Sequence, residues 1–310
     1  MKVLVTGANG FIGNALCTYL SEFGHEVVPV IRCWPGRLSE AKVILCNDEA
    51  MWGLALNGCD CVVHLAGRAH LMRESDPDPL GAFRAANLEP TMKLAVRAVE
   101  AGVKRFIFIS SIKVNGEETM LGGVFKPDDS PRPSEPYSVS KHETEKALLS
   151  FALKTQLEVI IIRPPLVYGP SAKGNFATLL KCINQGIPLP LSAITNNRRS
   201  LVSLYNLMDL IVCCMVHPNA TNQIFLASDG EDLSTHDLLL KVSKALGVVP
   251  RLFYVPPLAL RASAMIFNKL DLYQRLCGSL QVDISKNQML LDWNPPISLD
   301  DGIRRAIQKL

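Results

Sequence analysis

The 310-residue sequence has almost no excess of charge and no long, uniformly apolar segment. Its net charge is +3, and no run of Lys or Arg exceeds two residues, which argues against binding to nucleic-acid phosphates. The longest apolar candidates, residues 201–216 and 256–270, are shorter than the ~20 residues of a membrane-spanning helix and contain charged side chains. The first residues lack the features of a secretory signal. We therefore expect a cytoplasmic protein without a membrane span.

The sequence also lacks the spacings of metal sites and disulfide frameworks. Nine cysteines are an odd number, and they form neither a Cys-x-x-Cys pair nor a paired Cys/His motif. Most of them lie among apolar neighbours, where a reduced cysteine packs as a small hydrophobic side chain. His64 and His70 have no third potential ligand nearby in sequence. We expect no bound metal.

Short apolar runs alternate with longer amphipathic stretches, and 48% of the residues are hydrophobic, enough for a large core. Predicted strands cover residues 2–5, 26–31, 43–45, 59–65, 105–109 and 159–163, and predicted helices cover residues 12–23, 80–101 and 136–154. Strands connected through helices form a parallel sheet with helices on both faces. The pattern predicts an α/β protein with a Rossmann-type doubly wound sheet.

Beyond residue 165 the pattern changes, because prolines divide the chain into short helices and strands. We expect a dinucleotide-binding domain over residues 1–165 and a smaller substrate-binding lobe over residues 166–310. The lobe is expected to be partly discontinuous, with some strands returning to the main sheet. In such folds ligands bind at the carboxyl ends of the strands.

A glycine-rich turn joins the first predicted strand to the first helix. Gly7 suits the tight turn, Gly10 lets the backbone approach a pyrophosphate, and Gly13 allows close packing of helix on strand. Because it lies between a strand and a helix, this turn predicts dinucleotide binding rather than an ordinary turn. The predicted cofactor contacts here are Gly7, Asn9, Gly10, Phe11, Ile12 and Gly13.

The end of the second strand bears on the choice of cofactor. An acidic residue there would bind the ribose diol of NAD, but the sequence has Ile31 and Arg32, with Arg37 shortly after. Arginine pairs well with a 2′-phosphate, so we favour NADP(H), with NAD(H) the alternative. Further predicted cofactor contacts are Asn47 or Asp48 near the adenine, Leu65, Ala66 and Gly67 along the dinucleotide, and Pro164 after a later strand.

A tyrosine and a lysine four residues apart, Tyr137 and Lys141, lie on one face of a predicted helix. Ser111 follows the strand 105–109, at the edge where the nicotinamide should lie. A nearby cation favours the phenolate form of a tyrosine. We predict that Tyr137 exchanges a proton with the substrate, Ser111 hydrogen-bonds the reacting oxygen, and Lys141 tunes Tyr137 and contacts the cofactor ribose.

The sequence resembles the NAD(P)-dependent epimerase/dehydratase family, which belongs to the extended short-chain dehydrogenases/reductases and acts on nucleotide sugars. The resemblance spans nearly the whole chain and includes Thr6 to Gly13, His64-Leu65-Ala66-Gly67, Ser110-Ser111, Tyr137-x-x-x-Lys141, Arg163-Pro164, Tyr168-Gly169-Pro170 and Asp283-x-Ser285-Lys286 before Leu291-Asp292-Trp293. The finer pattern is similar to a branch of UDP-glucose 4-epimerase-like proteins. That branch includes 4-ketoreductases that make UDP-N-acetylquinovosamine.

The resemblance implies several further site residues. Asn87 matches the asparagine that supports the catalytic set of extended members. Arg199 matches an arginine that binds the substrate diphosphate, and Asn175, Phe176 and Arg275 are weaker candidates for uridine and phosphate contacts. The resemblance also implies a UDP-sugar substrate and a homodimer formed through the helices near residues 80–101 and 136–154.

The family that this sequence resembles includes dehydratases, reductases and epimerases. Dehydratases carry an Asp-Glu pair after the catalytic hydroxyl, where this chain has Ile112 and Lys113, so dehydration is rejected. The missing ribose-binding acid favours a reductase of a UDP-4-keto-6-deoxy-N-acetylhexosamine, in the synthesis of surface polysaccharide precursors. The alternative is a UDP-glucose or UDP-N-acetylglucosamine 4-epimerase, and a lesser one is a non-catalytic dinucleotide sensor.

Overall fold

The computed structural model describes residues 1–31, 44–45, 49–68, 77–120, 122–172 and 174–308. Its strands are β1 Lys2–Thr6, β2 Glu26–Ile31, β3 Ile44–Leu45, β4 Cys61–His64, β5 Arg105–Ile109, β6 Glu158–Arg163, β7 Leu166–Tyr168, β8 Arg199–Ser203, β9 Ile224–Leu226 and β10 Asp232–Leu233. Its α-helices are α1 Phe11–Glu22, α2 Glu49–Leu56, α3 Pro79–Phe83, α4 Glu89–Glu100, α5 Pro136–Ala152, α6 Asn175–Asn184, α7 Leu204–Val216, α8 Thr235–Leu246, α9 Pro257–Ile266, α10 Leu270–Cys277, α11 Ser285–Leu291 and α12 Leu299–Ile307.

Seven strands form the main sheet in the order β3-β2-β1-β4-β5-β6-β9, and every neighbouring pair is parallel. This confirms the predicted doubly wound, Rossmann-type fold. The strand order reverses between β1 and β4, and a crevice opens at such a reversal. The last strand, β9, comes from the second half of the chain and pairs with β6.

The central strands are buried on both faces, as continuous apolar runs predict for a parallel sheet. One apolar cluster joins Val3, Val5 and Ile107 to side chains of α1 and α7. The other joins Leu4 and Phe106 to side chains of α2, α4 and α5. Because successive side chains of a strand point to opposite faces, β1 and β5 contribute to both clusters.

The second half of the chain adds a small three-stranded sheet and most of the remaining helices. Its order is β10-β8-β7, with β7 parallel and β10 antiparallel to β8. Tyr168, Phe176 and Leu239 lie in the apolar cluster of this lobe, together with residues of α8 and α12. In the part of the chain that the structure describes, no helix could cross a bilayer.

The helix predicted over residues 80–101 is interrupted. Residues 84–88 form a π-helical turn between α3 and α4, and the Glu89 N–H donates to the carbonyl of Arg84, five residues earlier. Pro90 follows in the first turn of α4 and has no N–H to donate. The turn shifts the register of the helix and brings Asn87 into the interior. Such turns are frequent at functional sites.

Candidate active site

Four central strands end at the same level, so their following residues share one edge of the sheet. Thr6 of β1 is paired with His64 of β4, His64 with Phe108 of β5, and Phe108 with Ile161 of β6. The segments that leave the sheet at this edge begin with Gly7, Leu65, Ser110 and Pro164. The predicted glycine turn, serine and proline are therefore brought together.

The glycine turn has the close packing that its sequence predicts. Gly7 has a φ of +67°, and a Cβ atom on Gly13 would lie 2.1 Å from the Gly7 carbonyl oxygen. The first residue before α1 is Gly10, so no side chain at that position caps the exposed N–H groups of the first helical turn. Uncapped N–H groups at a helix start suit an anionic group such as a pyrophosphate. The turn fits the predicted dinucleotide.

The loop after β4 lies against this turn. The Thr6 hydroxyl accepts hydrogen bonds from the N–H groups of Leu65 and Ala66, at 3.2 and 3.1 Å. A Cβ atom on Gly7 would approach the Ala66 nitrogen to 2.9 Å. The backbones of Gly7 and Ala66 thus lie close together on the two sides of the β1–β4 reversal, where Leu65, Ala66 and Gly67 are predicted to contact the cofactor.

His64 supports this loop through the Thr6 hydroxyl, which the loop N–H groups also contact. Its ring bridges the hydroxyls of Thr6 and Thr91, with Nδ1 2.7 Å from one and Nε2 2.9 Å from the other. Burial lowers the pKa of His64 to about 3, and the cation of Lys141 acts in the same direction. The imidazole is therefore neutral, and its two hydrogen bonds give it a structural role.

Asn87 connects the cofactor loop to the catalytic helix. Its Oδ1 accepts from the Arg68 N–H at 2.8 Å, and its Nδ2 donates to the Arg68 carbonyl and to the Ser140 hydroxyl. Asn87 is buried, and a Cβ atom on Gly67 would lie 3.2 Å from its Oδ1. The side chain thus fixes the position of the loop relative to α5.

Lys141 is buried on α5 beside the same loop. Its Nζ donates to the Ile109 carbonyl at 2.9 Å and lies 4.4 Å from the centre of the Phe108 ring. Burial lowers the pKa of Lys141 to about 8, while the charge of Glu145 acts in the opposite direction. A Cβ atom on Gly67 would lie 3.5 Å from this Nζ. The amine therefore lies at the wall of the crevice.

Tyr137 and Ser111 lie close enough that the Ser111 hydroxyl lowers the pKa of the Tyr137 phenol. The ring of Tyr137 packs edge-on against Phe83, with 5.9 Å between the ring centres. Burial raises the pKa of Tyr137 to about 12, and the nearby Ser111 hydroxyl only partly offsets this rise. Lys141 is not among the causes of this shift, since its Nζ donates to the Ile109 carbonyl, and its effect on Tyr137 stays a prediction.

A buried ion pair behind Lys141 was missed by the sequence analysis. Arg163 donates through Nε and Nη2 to both oxygens of Glu145, at 3.0 and 2.6 Å, and its Nη1 donates to Asn115 Oδ1 at 2.9 Å. Both charged side chains are only 2% exposed. Glu145 follows Lys141 by one helical turn, a spacing that could have signalled their common face.

The predicted substrate residues are more dispersed. Arg199 lies at the start of β8, and its Nη1 donates to the Gly278 carbonyl at 3.0 Å, just beyond α10. Arg275 is exposed on the last turn of α10, and Asn175 begins α6. Phe176 is buried against Tyr168, which gives no support to its predicted uridine contact. The predicted cofactor residues Arg32, Arg37, Asn47 and Asp48 lie outside the described residues.

Comparison with known proteins shows which family shares these sequence features. The profile of the NAD dependent epimerase/dehydratase family matches residues 3–227. A protein of Vibrio cholerae named UDP-glucose 4-epimerase is 43% identical over 312 residues, which cover 99% of this chain and 94% of that protein. Similarity on this scale extends through both halves of the chain.

Two more distant proteins show the same architecture or a similar sequence. An Escherichia coli O157:H7 protein, N-acetyl-alpha-D-glucosaminyl-diphospho-ditrans,octacis-undecaprenol 4-epimerase, is 26% identical over 99% of this chain and 94% of its own length. The solved structure of MoeE5 in complex with UDP-glucuronic acid and NAD superposes with a TM-score of 0.79 at 24% identity, covering 100% of this chain and 98% of that one. The latter likeness concerns the fold alone.

Proposed function

This chain belongs to the NAD dependent epimerase/dehydratase family, and we propose that it is an NAD-dependent UDP-sugar 4-epimerase. The observation that carries the proposal is the proximity of Tyr137 and Ser111 at the carboxyl edge of the sheet, beside buried Lys141. The 43% identical relative is named for this activity. The sequence departs from the dehydratases at Ile112 and Lys113, and Lys113 is engaged in ion pairs with Glu117 and Glu135.

In the proposed reaction, the phenolate form of Tyr137 takes the proton of the sugar 4-hydroxyl and later returns it. Ser111 donates a hydrogen bond to the same sugar oxygen and holds it near the phenol. When bound, an oxidised nicotinamide would supply a reversible acceptor for the hydride at C4 of the sugar. Because Tyr137 gives back the proton that it takes, the residue is regenerated in each turnover.

Lys141 and Asn87 organise the site. The Lys141 amine would contact the nicotinamide ribose, and its bond to the Ile109 carbonyl fixes its direction. Asn87 holds the Arg68 backbone against α5, so the cofactor loop and the catalytic helix keep one spacing. The predicted phosphate contact of Arg199 and the weaker one of Arg275 complete the proposed site, since guanidinium groups pair well with a diphosphate.

A 4-ketoreductase that uses NADPH is the second candidate. It is favoured by one observation, the absence of an acidic side chain at the Ile31-Arg32 end of β2. An epimerase restores its cofactor in every cycle, whereas a reductase consumes one reduced cofactor for each product. The two candidates therefore differ in cofactor turnover as well as in substrate.

The test measures both activities on the purified protein. In one reaction UDP-glucose or UDP-N-acetylglucosamine is incubated with NAD⁺ and no reductant, and the C4 epimers are separated by chromatography. In the other, a UDP-4-keto-6-deoxy-N-acetylhexosamine is incubated with NADPH, and loss of NADPH absorbance is followed. We expect epimer exchange in the first reaction without net change of cofactor.

Stoichiometric oxidation of NADPH together with no epimer exchange would replace the epimerase by the ketoreductase. Dissociation constants for NAD⁺ and NADP⁺, measured by calorimetry, test the cofactor separately. Binding of either dinucleotide without any turnover would support only the non-catalytic sensor.

We also propose a homodimer formed through α4 and α5 and a cytoplasmic location. Val96 on α4 and Leu153 beyond α5 are large apolar side chains that are exposed in the single chain. A helical interface would cover them. Light scattering of the purified protein at several concentrations tests the dimer.

A further inference from the structure

The C-terminal lobe exposes an unusual amount of apolar surface over residues 249–277, here called the hairpin surface because α9 and α10 form most of it. Nine of the 21 large apolar side chains that are exposed in the described part of the chain lie within residues 249–272. The remaining exposed ones are scattered over the molecule. A contiguous apolar patch of this kind marks an interaction site, whereas scattered residues do not.

Helix α9 shows the exposure most clearly. Its sequence is predominantly apolar, yet none of its residues is buried. Leu258 near its start is 79% exposed, and Ile266 and Phe267 at its end are 80% and 72% exposed. Leu260, Ser263 and Ala264 line the wall of a cavity, and Leu260 packs against the apolar cluster of the lobe. Apolar helices of soluble proteins bury a full face, so most of the apolar surface of α9 lacks a partner within the described residues.

The cavity lies between the hairpin surface and α6. It measures about 520 Å³ and is walled mainly by apolar side chains, among them Leu179, Leu191, Leu260, Phe267 and Leu272. Its polar contributions include Lys269, which is exposed at the start of α10. The cavity provides apolar volume directly beneath the exposed residues, of a kind that can accept part of a hydrocarbon chain.

The net positive charge of the chain comes from the same surface. Residues 249–277 carry four basic side chains, Arg251, Arg261, Lys269 and Arg275, and one acidic side chain, Asp271. The rest of the chain has 28 basic and 28 acidic residues, so the whole net charge of +3 belongs to this segment. All five charged side chains are exposed.

We propose that the hairpin surface docks on a lipid bilayer that contains anionic lipids. Exposed aliphatic and aromatic side chains would enter the interface between headgroups and acyl chains, and the basic side chains would contact the headgroup phosphates. Tyr254, which is exposed beside α9, suits the boundary between water and lipid. A second copy of the chain is a poorer occupant, because two surfaces of the same positive charge would repel each other.

Co-sedimentation of the full-length protein with vesicles tests this proposal. The vesicles consist of phosphatidylcholine alone or of phosphatidylcholine with phosphatidylglycerol. We expect binding to the anionic vesicles that weakens as salt is added. The double variant Ile266→Ser, Phe267→Ser should bind roughly 10-fold or more weakly, because two side chains that would enter the bilayer are lost. Arg261→Gln and Lys269→Gln should each weaken binding about five-fold.

The matched control is Leu54→Ser, Phe23→Ser, which removes an aliphatic and an aromatic side chain that are exposed on the other half of the chain. It should bind like the unchanged protein. The proposal is overturned if the unchanged protein does not bind anionic vesicles, or if both double variants bind equally. It is likewise overturned if the hairpin variant abolishes self-association while vesicle binding is absent. Vesicle binding does not depend on catalysis, so it is tested separately from the epimerase reaction.

Discussion

Helices α5 and α9 depart from the usual distribution of polar and apolar side chains in opposite directions. Helix α5 buries the charged side chains of Lys141 and Glu145 together with three hydroxyl residues. Helix α9 is mostly apolar and buries nothing. Charged residues are rarely buried without a partner, and apolar helices are rarely left exposed.

The two departures differ in where the compensating partner lies. On α5 the partners are internal: Arg163 neutralises Glu145, and the Ile109 carbonyl and Phe108 ring receive Lys141. On α9, Leu260 packs against the apolar cluster of the lobe, but the exposed side chains have no partner within the described ranges, so the proposed partner is external. We infer that the unusual burial of charge on α5 and the unusual exposure of apolar side chains on α9 both mark function. An internal partner indicates a catalytic site, and an external partner indicates a docking surface.

The largest expected effect concerns Tyr137. Tyr137→Phe removes the hydroxyl that would exchange the proton, and we expect kcat to fall by about 10²- to 10⁴-fold. Cofactor affinity should change little, because the ring and its packing on Phe83 remain. Tyr254→Phe, at an exposed tyrosine beside α9, is the control and should leave kcat unchanged. An undiminished kcat in Tyr137→Phe would show that Tyr137 is not the proton-exchanging residue and that α5 is not a catalytic helix.

The second prediction compares two glutamates of α5. Glu145→Gln leaves the buried Arg163 without its counter-charge and should lower the free energy of unfolding by about 3–5 kcal/mol. Glu143→Gln breaks the ion pair with Arg84, whose side chain is 44% exposed, and should cost no more than about 1 kcal/mol. Urea unfolding at neutral pH measures both. Equal losses would mean that Glu145 is not compensated internally.

The third prediction concerns the cost of burying Lys141. Its folded-state pKa of about 8 lies below the ordinary value of 10.5. Between these values the unfolded chain binds the proton and the folded chain does not, so native stability falls as the pH drops from 10.5 to 8 and then stays level. Lys141→Met removes this penalty. Its stability relative to the unchanged protein should therefore be highest below pH 8 and decline by up to ~3 kcal/mol towards pH 10.5.

The measurement is urea unfolding of both proteins across this pH range. Lys146→Met, which removes an exposed lysine from the same helix, is the baseline for loss of a cation. A stability difference that is the same at every pH would show that burial of Lys141 carries no penalty. Lys141→Met should also lose activity, because an active-site group can be retained for function although it lowers the stability of the fold.

The pattern of hydrophobic residues predicts the main sheet well, because the central strands of this sheet are buried on both faces. Residues 26–31 and 105–109 were predicted with the bounds that β2 and β5 have. The glycine turn and the Tyr137–Lys141 spacing are also local, since strand, turn and helix are continuous in sequence. Their relative positions follow from parallel strands ending at one edge.

What sequence reasoning missed depends on contacts between distant segments. The direction of the Tyr137 pKa shift depends on burial, to which Phe83 contributes from 54 positions away in sequence. Arg163 and Glu145 meet only because α5 crosses β6 at that level. The exposure of α9 could not be predicted, because an apolar stretch with helical spacing indicates a buried helix unless its surroundings are known.

The smallest expected effect tests the α9 side of the comparison. Ile266→Ser removes an apolar side chain that is already exposed to water, so the free energy of unfolding should change by no more than about 0.5 kcal/mol. Leu148→Ala, at a fully buried leucine of α5, should cost about 2–5 kcal/mol because it leaves a cavity. Both are measured by urea unfolding without lipid. If Ile266→Ser destabilised the protein as strongly as Leu148→Ala, the side chain would be part of the folded core in solution, and α9 would have an internal partner after all.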